Sequence, residues 1–140
     1  MMPCAKHVLT EIRESLQQGQ KDLAAAYLAR PDYKRYLADR SQLVDQMLAR
    51  LWTQAQLPKA AGLVAVGGYG RSELYPHSDI DVLIVLETPP SPEVEVALER
   101  LVSQFWDIGL AVGHSVRTID ECISAAQSDI TVQTALSESR

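Results

Sequence analysis

The stretch Gly67-Gly68-Tyr69-Gly70-Arg71-Ser72-Glu73-Leu74, followed by Ser78-Asp79-Ile80-Asp81, holds the residues best suited to chemistry. It follows the apolar run Leu63-Val64-Ala65-Val66 and leads into Val82-Leu83-Ile84-Val85-Leu86. Glycines thus leave one expected strand, and two aspartates enter the next at a spacing of two. Side chains alternate faces along a strand, so Asp79 and Asp81 should sit side by side, with Ile80, Val82 and Ile84 on the other face. Adjacent carboxylates raise each other's pKa unless a cation intervenes. Mg2+ takes oxygen ligands, often one or two carboxylates together with substrate phosphates and water. A pair of such ions about 3.5–4 Å apart can clamp the attacking and leaving oxygens of an in-line displacement at phosphorus.

The glycines supply the complementary half. Without a Cβ, Gly67, Gly68 and Gly70 allow positive φ and close approach of a ligand. Successive amides in such a turn form an anion-binding nest, and a helix starting nearby adds its positive dipole end. Arg71 either neutralises phosphate charge or pairs with an acidic neighbour; Ser78 joins the phosphate-binding set. Taken singly, a Gly-Gly after a strand reads as a turn and an Asp-x-Asp as a solvated face. Their order between two apolar strands makes a joint phosphate and metal site the better reading.

Helices and strands alternate around this stretch. Val8, Ile12 and Leu16 have helical spacing from about Lys6 to Gln18, with Gly19 as a stop, and Asp22 to Ala29 forms a short helix before Pro31. From Tyr33 to Gln56, Leu37, Val44, Met47, Leu48, Leu51 and Trp52 belong to a broad apolar stripe that predicts a core helix. Pro58 and Gly62 bracket the turn into strand Leu63–Val66. A helical turn over Arg71 to Leu74 precedes Pro76, and strand Asp79–Leu86 follows. Ser91 caps the next helix with Pro92 at its first position, and Gly109 ends it. Strand Leu110–Val116 comes next. Thr118-Ile119-Asp120-Glu121 fits a capping box for a helix to about Gln127, and Ser128 or Asp129 caps a last helix. The pattern predicts an α+β fold, a small sheet packed by helices.

A chain of 140 residues with 46% hydrophobic residues is one domain's worth of core. A net charge of −5 offers no basic field for nucleic acid. Cys4 and Cys122 suit free thiols in a reducing compartment, and no four-ligand zinc spacing occurs. His7, His77 and His114 are scattered. No apolar run approaches the ~20 residues that span a bilayer. The first residues lack a signal-peptide core, so no membrane association and a cytoplasmic location are expected.

The pattern Gly-Gly-x-Gly-Arg-x-Glu-Leu-x-Pro-x-Ser-Asp-Ile-Asp resembles the nucleotidyltransferase signature of the DNA polymerase β-like superfamily. Arg50-Leu51-Trp52, Val64-Ala65-Val66-Gly67-Gly68-Tyr69-Gly70-Arg71 and the run from Trp106 through Gly113-His114-Ser115 to Thr118 narrow it further. They resemble the amino-terminal nucleotidyltransferase domain of the GlnD family, the bifunctional uridylyltransferase/uridylyl-removing enzymes. The likeness runs from about Leu43 to the end, which suggests an N-terminal helical segment over 1–42 and a nucleotidyltransferase domain over 43–140.

The resemblance implies a truncated polymerase β-like fold with a small mixed sheet. It also implies Mg2+-dependent transfer of UMP from UTP to a tyrosine of the PII signal protein, in the regulation of nitrogen metabolism. Phosphate would bind at Gly67 and Gly68, and metal at Asp79 and Asp81. Family members continue into an HD-type domain that removes UMP and into ACT domains that sense glutamine. Neither fits in this chain, which then looks like a fragment of a longer protein. Polymerase β-like sites often borrow helices from downstream, so activity of the piece alone stays open. A third carboxylate usually comes from a neighbouring strand. Leu110 to Val116 has no Asp or Glu, and relatives often carry Glu where Ala111 stands. Either one Mg2+ suffices, or Glu138 or an acid beyond residue 140 completes the set. The alternatives are another protein or small-molecule nucleotidyltransferase, or a non-catalytic nucleotide-binding regulatory domain.

Overall fold

The computed structural model describes residues 5–72, 74 and 80–128. It has the expected α+β architecture, with helices against a three-stranded mixed sheet.

Two long helices, α1 (Ala5–Ala29) and α2 (Tyr33–Ala55), form a hairpin. Pro31 lacks the amide a continuing helix would need. Asp32 then caps α2, its carboxylate accepting from the Arg35 amide at 3.2 Å. Tyr27 meets Tyr36 edge-on with ring centroids 5.5 Å apart, and Gly19 meets Leu43, so the helices run antiparallel. The sequence pattern predicts a stop at Gly19, but α1 passes through it unbroken. Packing explains the difference. A Cβ at Gly19 would lie 2.6 and 2.8 Å from the Leu43 methyl carbons. The missing side chain lets α2 approach, which offsets the ~1 kcal/mol that a mid-helix glycine costs.

The sheet has the order β1 (Gly62–Val66), β2 (Ile80–Leu86), β3 (Val112–Thr118). β1 pairs antiparallel with β2, and β2 pairs parallel with β3. A short helical turn, α3 (Gly67–Gly70), follows β1, and α4 (Pro92–Asp107) makes the crossover between the parallel strands. Both ends of α4 match their sequence signals. Ser91 Oγ accepts from the Val94 amide at 3.3 Å, with Pro92 in the first turn. Gly109, at φ +97°, closes a Schellman turn in which the Leu110 amide donates to the Phe105 carbonyl at 3.1 Å. Thr118 and Glu121 exchange hydrogen bonds of 3.1 and 3.3 Å and start α5 (Ile119–Ser128), as the capping box predicts.

The core lies between one sheet face and helices α1, α2 and α4. Ile12, Leu16, Val44, Leu51, Leu101 and Phe105 bury themselves against Ala65, Ile80, Val82 and Val112. Arg13 Nε also donates to the Asp107 carbonyl at 3.0 Å, tying α1 to the end of α4. Cys122 is a free thiol, and Cys4 lies outside the described residues. Among the described residues, no helix is long and apolar enough to cross a membrane.

Candidate active site

The alternation of β2 decides what its residues can do. Ile80 and Val82 are 2% and 3% exposed, sunk in the core on either side of Asp81. Burial of two neighbours fixes the strand's rotation, and a strand's period of two then turns Asp81 to the opposite face. There it is exposed. The register sets it between Val66 at the end of β1 and Gly113 of β3.

β1 ends in extended backbone at Val66 (φ −131°, ψ 171°), and Gly67 turns the chain sharply at φ +63°. A residue with a Cβ pays about 1–2 kcal/mol in that left-handed region. The helical turn is closed by the Arg71 amide donating to the Gly67 carbonyl at 3.1 Å. It therefore begins four residues before the Arg71–Leu74 turn that the sequence suggests. The opening amides of a helical turn have no acceptor within it, which suits Gly67 and Gly68 to an anion. Of the three signature glycines, Gly67 alone takes positive φ. Gly68 is half-buried and Gly70 is buried within the turn. Ser72, at φ +60°, leads the chain out, and Leu74 is buried in the core.

The turn and the strand meet at the Asp81 carboxylate. A Cβ at Gly67 would lie 3.3 Å from Asp81 Oδ2, and one at Gly113 would lie 3.1 Å from Oδ1. The carboxylate is thus seated between two positions that lack side chains. This cradle, one hard-oxygen donor beside the Cβ-free positions Gly67 and Gly113, fits a divalent cation and a phosphate chain. Arg71 is exposed at the end of the turn and has an interaction partner there. Asp79 and Ser78, the other predicted site residues, lie outside the described residues.

No acid of β3 shares Asp81's face. Gly113 and Ser115 are its residues beside Asp81 and Leu83, and Arg117 stands beside Val85. Ala111, just before β3, is exposed, and its carbonyl accepts from the Ile80 amide at 3.1 Å. Among the described residues, no group of three His, Cys, Asp or Glu side chains is placed to hold a metal. Glu138 lies outside the described residues. His114 pairs with Val82 and so belongs to the helix face, away from Asp81. It lines a groove of about 680 Å3 with Leu98, Val102 and Val116. That groove lies on the other face of the sheet from Asp81.

Three residues at the site escape the sequence reading. Gly113 gives its signal only through register, since nothing local marks a strand glycine as facing an acid. Tyr69 is 3% exposed, and its hydroxyl donates to Asp45 of α2. Asp45 has a sequence signal, a lone acid between Val44 and Met47 on an apolar stripe.

The family model for a nucleotidyltransferase domain matches residues 46–130. A bifunctional uridylyltransferase/uridylyl-removing enzyme of Thiobacillus denitrificans is 49% identical over 130 residues, which is 93% of this chain and 15% of that protein. Proteins with the same description from Chromobacterium violaceum and Bordetella parapertussis are 47% and 46% identical over 91% and 94% of the chain, again 15% of each relative. The chain therefore spans about 15% of the length of these relatives.

Proposed function

The chain belongs to the family of nucleotidyltransferase domains, and on that footing we propose that it transfers UMP from UTP to a tyrosine hydroxyl of the PII signal protein. The tyrosine oxygen bonds to the α-phosphorus, the bond to the β-phosphate oxygen breaks, and pyrophosphate leaves. The observation that carries the reading is the Asp81 carboxylate, seated between Gly67 of the turn and Gly113 of β3. The descriptions of the three relatives supply the uridylyl group as the one transferred.

Such chemistry rests on positioning and on stabilising charge at the phosphoryl oxygens and the leaving group. Asp79 and Asp81 would hold Mg2+, which when bound neutralises triphosphate charge. The amides of Gly67 and Gly68 hold the outer phosphates, the Cβ-free backbone at Gly67 keeps the approach open, and Gly70 shapes the buried side of the turn. Arg71 steadies the departing pyrophosphate, and Ser78 adds a hydrogen bond to the phosphates. A tyrosine hydroxyl, with an ordinary pKa of ~10, must lose its proton as the new bond forms. The reading carries with it a cytoplasmic location and a part in nitrogen regulation.

A UMP-transfer assay with labelled UTP, Mg2+ and PII tests the reading. Asp79→Asn and Asp81→Asn should each lower transfer at least about a hundredfold, in the range seen for loss of a charged transition-state contact. Full activity in Asp81→Asn rejects the assignment. One observation favours a second reading. β3 places Gly113 and Ser115, and no acid, beside Asp81 and Leu83, which suits a nucleotide-binding regulator without transfer. That reading predicts UTP binding with no pyrophosphate released.

A further inference from the structure

We infer that Asp45 and Tyr69 form a latch that sets the position of the glycine turn for the nucleotide, a role that rests on the proposed function. Tyr69 lies in the middle of the turn, between Gly68 and Gly70. Its ring points away from the Asp81 face and enters the core, where it is 3% exposed. Its hydroxyl donates to the Asp45 carboxylate of α2, 24 residues earlier in sequence. Asp45 is half-buried, one residue from the fully buried Val44.

The surroundings explain why a hydrogen bond is needed there. A turn with glycine at three of its four positions has little side-chain packing of its own to hold it. Tyr69 is its only residue with a side chain. Beside that ring lies a cavity of about 330 Å3, lined by Leu48, Trp52, Leu63, Ala65 and Val82 together with Asp45 and Tyr69. Packing leaves the ring room to shift into that space. A charge-assisted bond to a helix that is itself anchored in the core removes this freedom. The turn's amides then keep one position relative to Asp81, whose carboxylate lies 3.3 Å from where a Gly67 Cβ would be. Asp45 and Tyr69 are positioning residues, acting on the nucleotide through the turn's backbone.

The test uses Tyr69→Phe, which keeps the ring and removes the donor, with Asp45→Ala and Asp45→Asn. Two measurements are made on this chain: UTP binding with Mg2+ by calorimetry, and amide hydrogen exchange across Gly67–Arg71. Tyr69→Phe and Asp45→Ala should each weaken UTP binding about tenfold, the size of one hydrogen bond to a charged group. The double variant should be no weaker than either single one. Asp45→Asn keeps an acceptor and should stay within about threefold of the wild type. Exchange at the turn should quicken while β2 remains protected. A purely structural role would instead lower protection throughout the domain and leave UTP affinity of the folded protein unchanged. Unaltered exchange at the turn in Tyr69→Phe overturns the latch. If the wild-type chain binds no UTP, the proposed function fails, and the exchange measurement still decides the latch.

Discussion

Gly113→Ala offers a way to move Asp81 without unfolding the protein. The added methyl would lie 3.1 Å from Asp81 Oδ1, whereas ordinary contact begins near 3.4 Å, so the carboxylate must retreat by about 0.3 Å. Gly113 does not have positive φ, so alanine suits its backbone. Replacing a glycine at a compatible site stabilises a fold by about 0.4–1 kcal/mol through the unfolded chain. Turning an exposed carboxylate off its preferred rotamer costs about 0.5–1.5 kcal/mol. The two nearly cancel, and stability should stay within about 1 kcal/mol of the wild type. Transfer responds differently, because a misplacement of 1 Å costs about a hundredfold, and a shift of this size should cost about four- to tenfold. Gly62→Ala is the matched control, since its Cβ would meet nothing within 4 Å and it too lies in a strand. Thermal unfolding and the rate of UMP transfer are measured on both variants. Equal activity in Gly113→Ala and Gly62→Ala, with both folded, would refute the reasoning that Gly113 seats the carboxylate.

Gly67→Ala should behave in the opposite way from Gly113→Ala, because φ +63° is strained for any side chain. A loss of about 1–2 kcal/mol is expected in denaturant unfolding, together with weaker UTP binding. Gly19→Ala gains about 1 kcal/mol of helix propensity but forces Leu43 to move from 2.6 Å, and overpacking costs about 1–3 kcal/mol. Its net effect in urea titration should be neutral to destabilising by about 2 kcal/mol. The same change in a Leu43→Ala background should be stabilising, a coupling that a double-mutant cycle reads directly.

Local signals located most of the frame. Ser91, Pro92 and Gly109 bound α4, and Thr118 with Glu121 begins α5, because caps are made by residues adjacent in sequence. The strand pattern around Asp81 was equally readable, since alternation needs only nearest neighbours. What escaped depends on contacts between distant segments. Gly19 has the local signature of a helix stop, yet Leu43 packs against it and α1 runs on. Gly113 is separated from Asp81 by the whole of α4, and only the parallel register brings them together. Nothing local to the glycine turn marks Tyr69 as buried; its ring enters the core and its hydroxyl finds Asp45 on α2, 24 residues away.

Both halves of the candidate site are held in the same way. Asp81 stands between the buried residues Ile80 and Val82, and the turn's glycines flank the buried Tyr69. In each case the group presented to the open face is fixed by neighbours sunk in the core on the other face. A strand slip of one residue would bury Asp81 and expose Ile80 and Val82, so the core's stability and the carboxylate's position are one constraint. Core substitutions will therefore lower stability and transfer together, and cannot show which residues orient the chemistry. Gly113 lies outside this coupling because it contributes no side chain to the core and only leaves room for Asp81. At such a position an orienting role can be measured apart from a folding one.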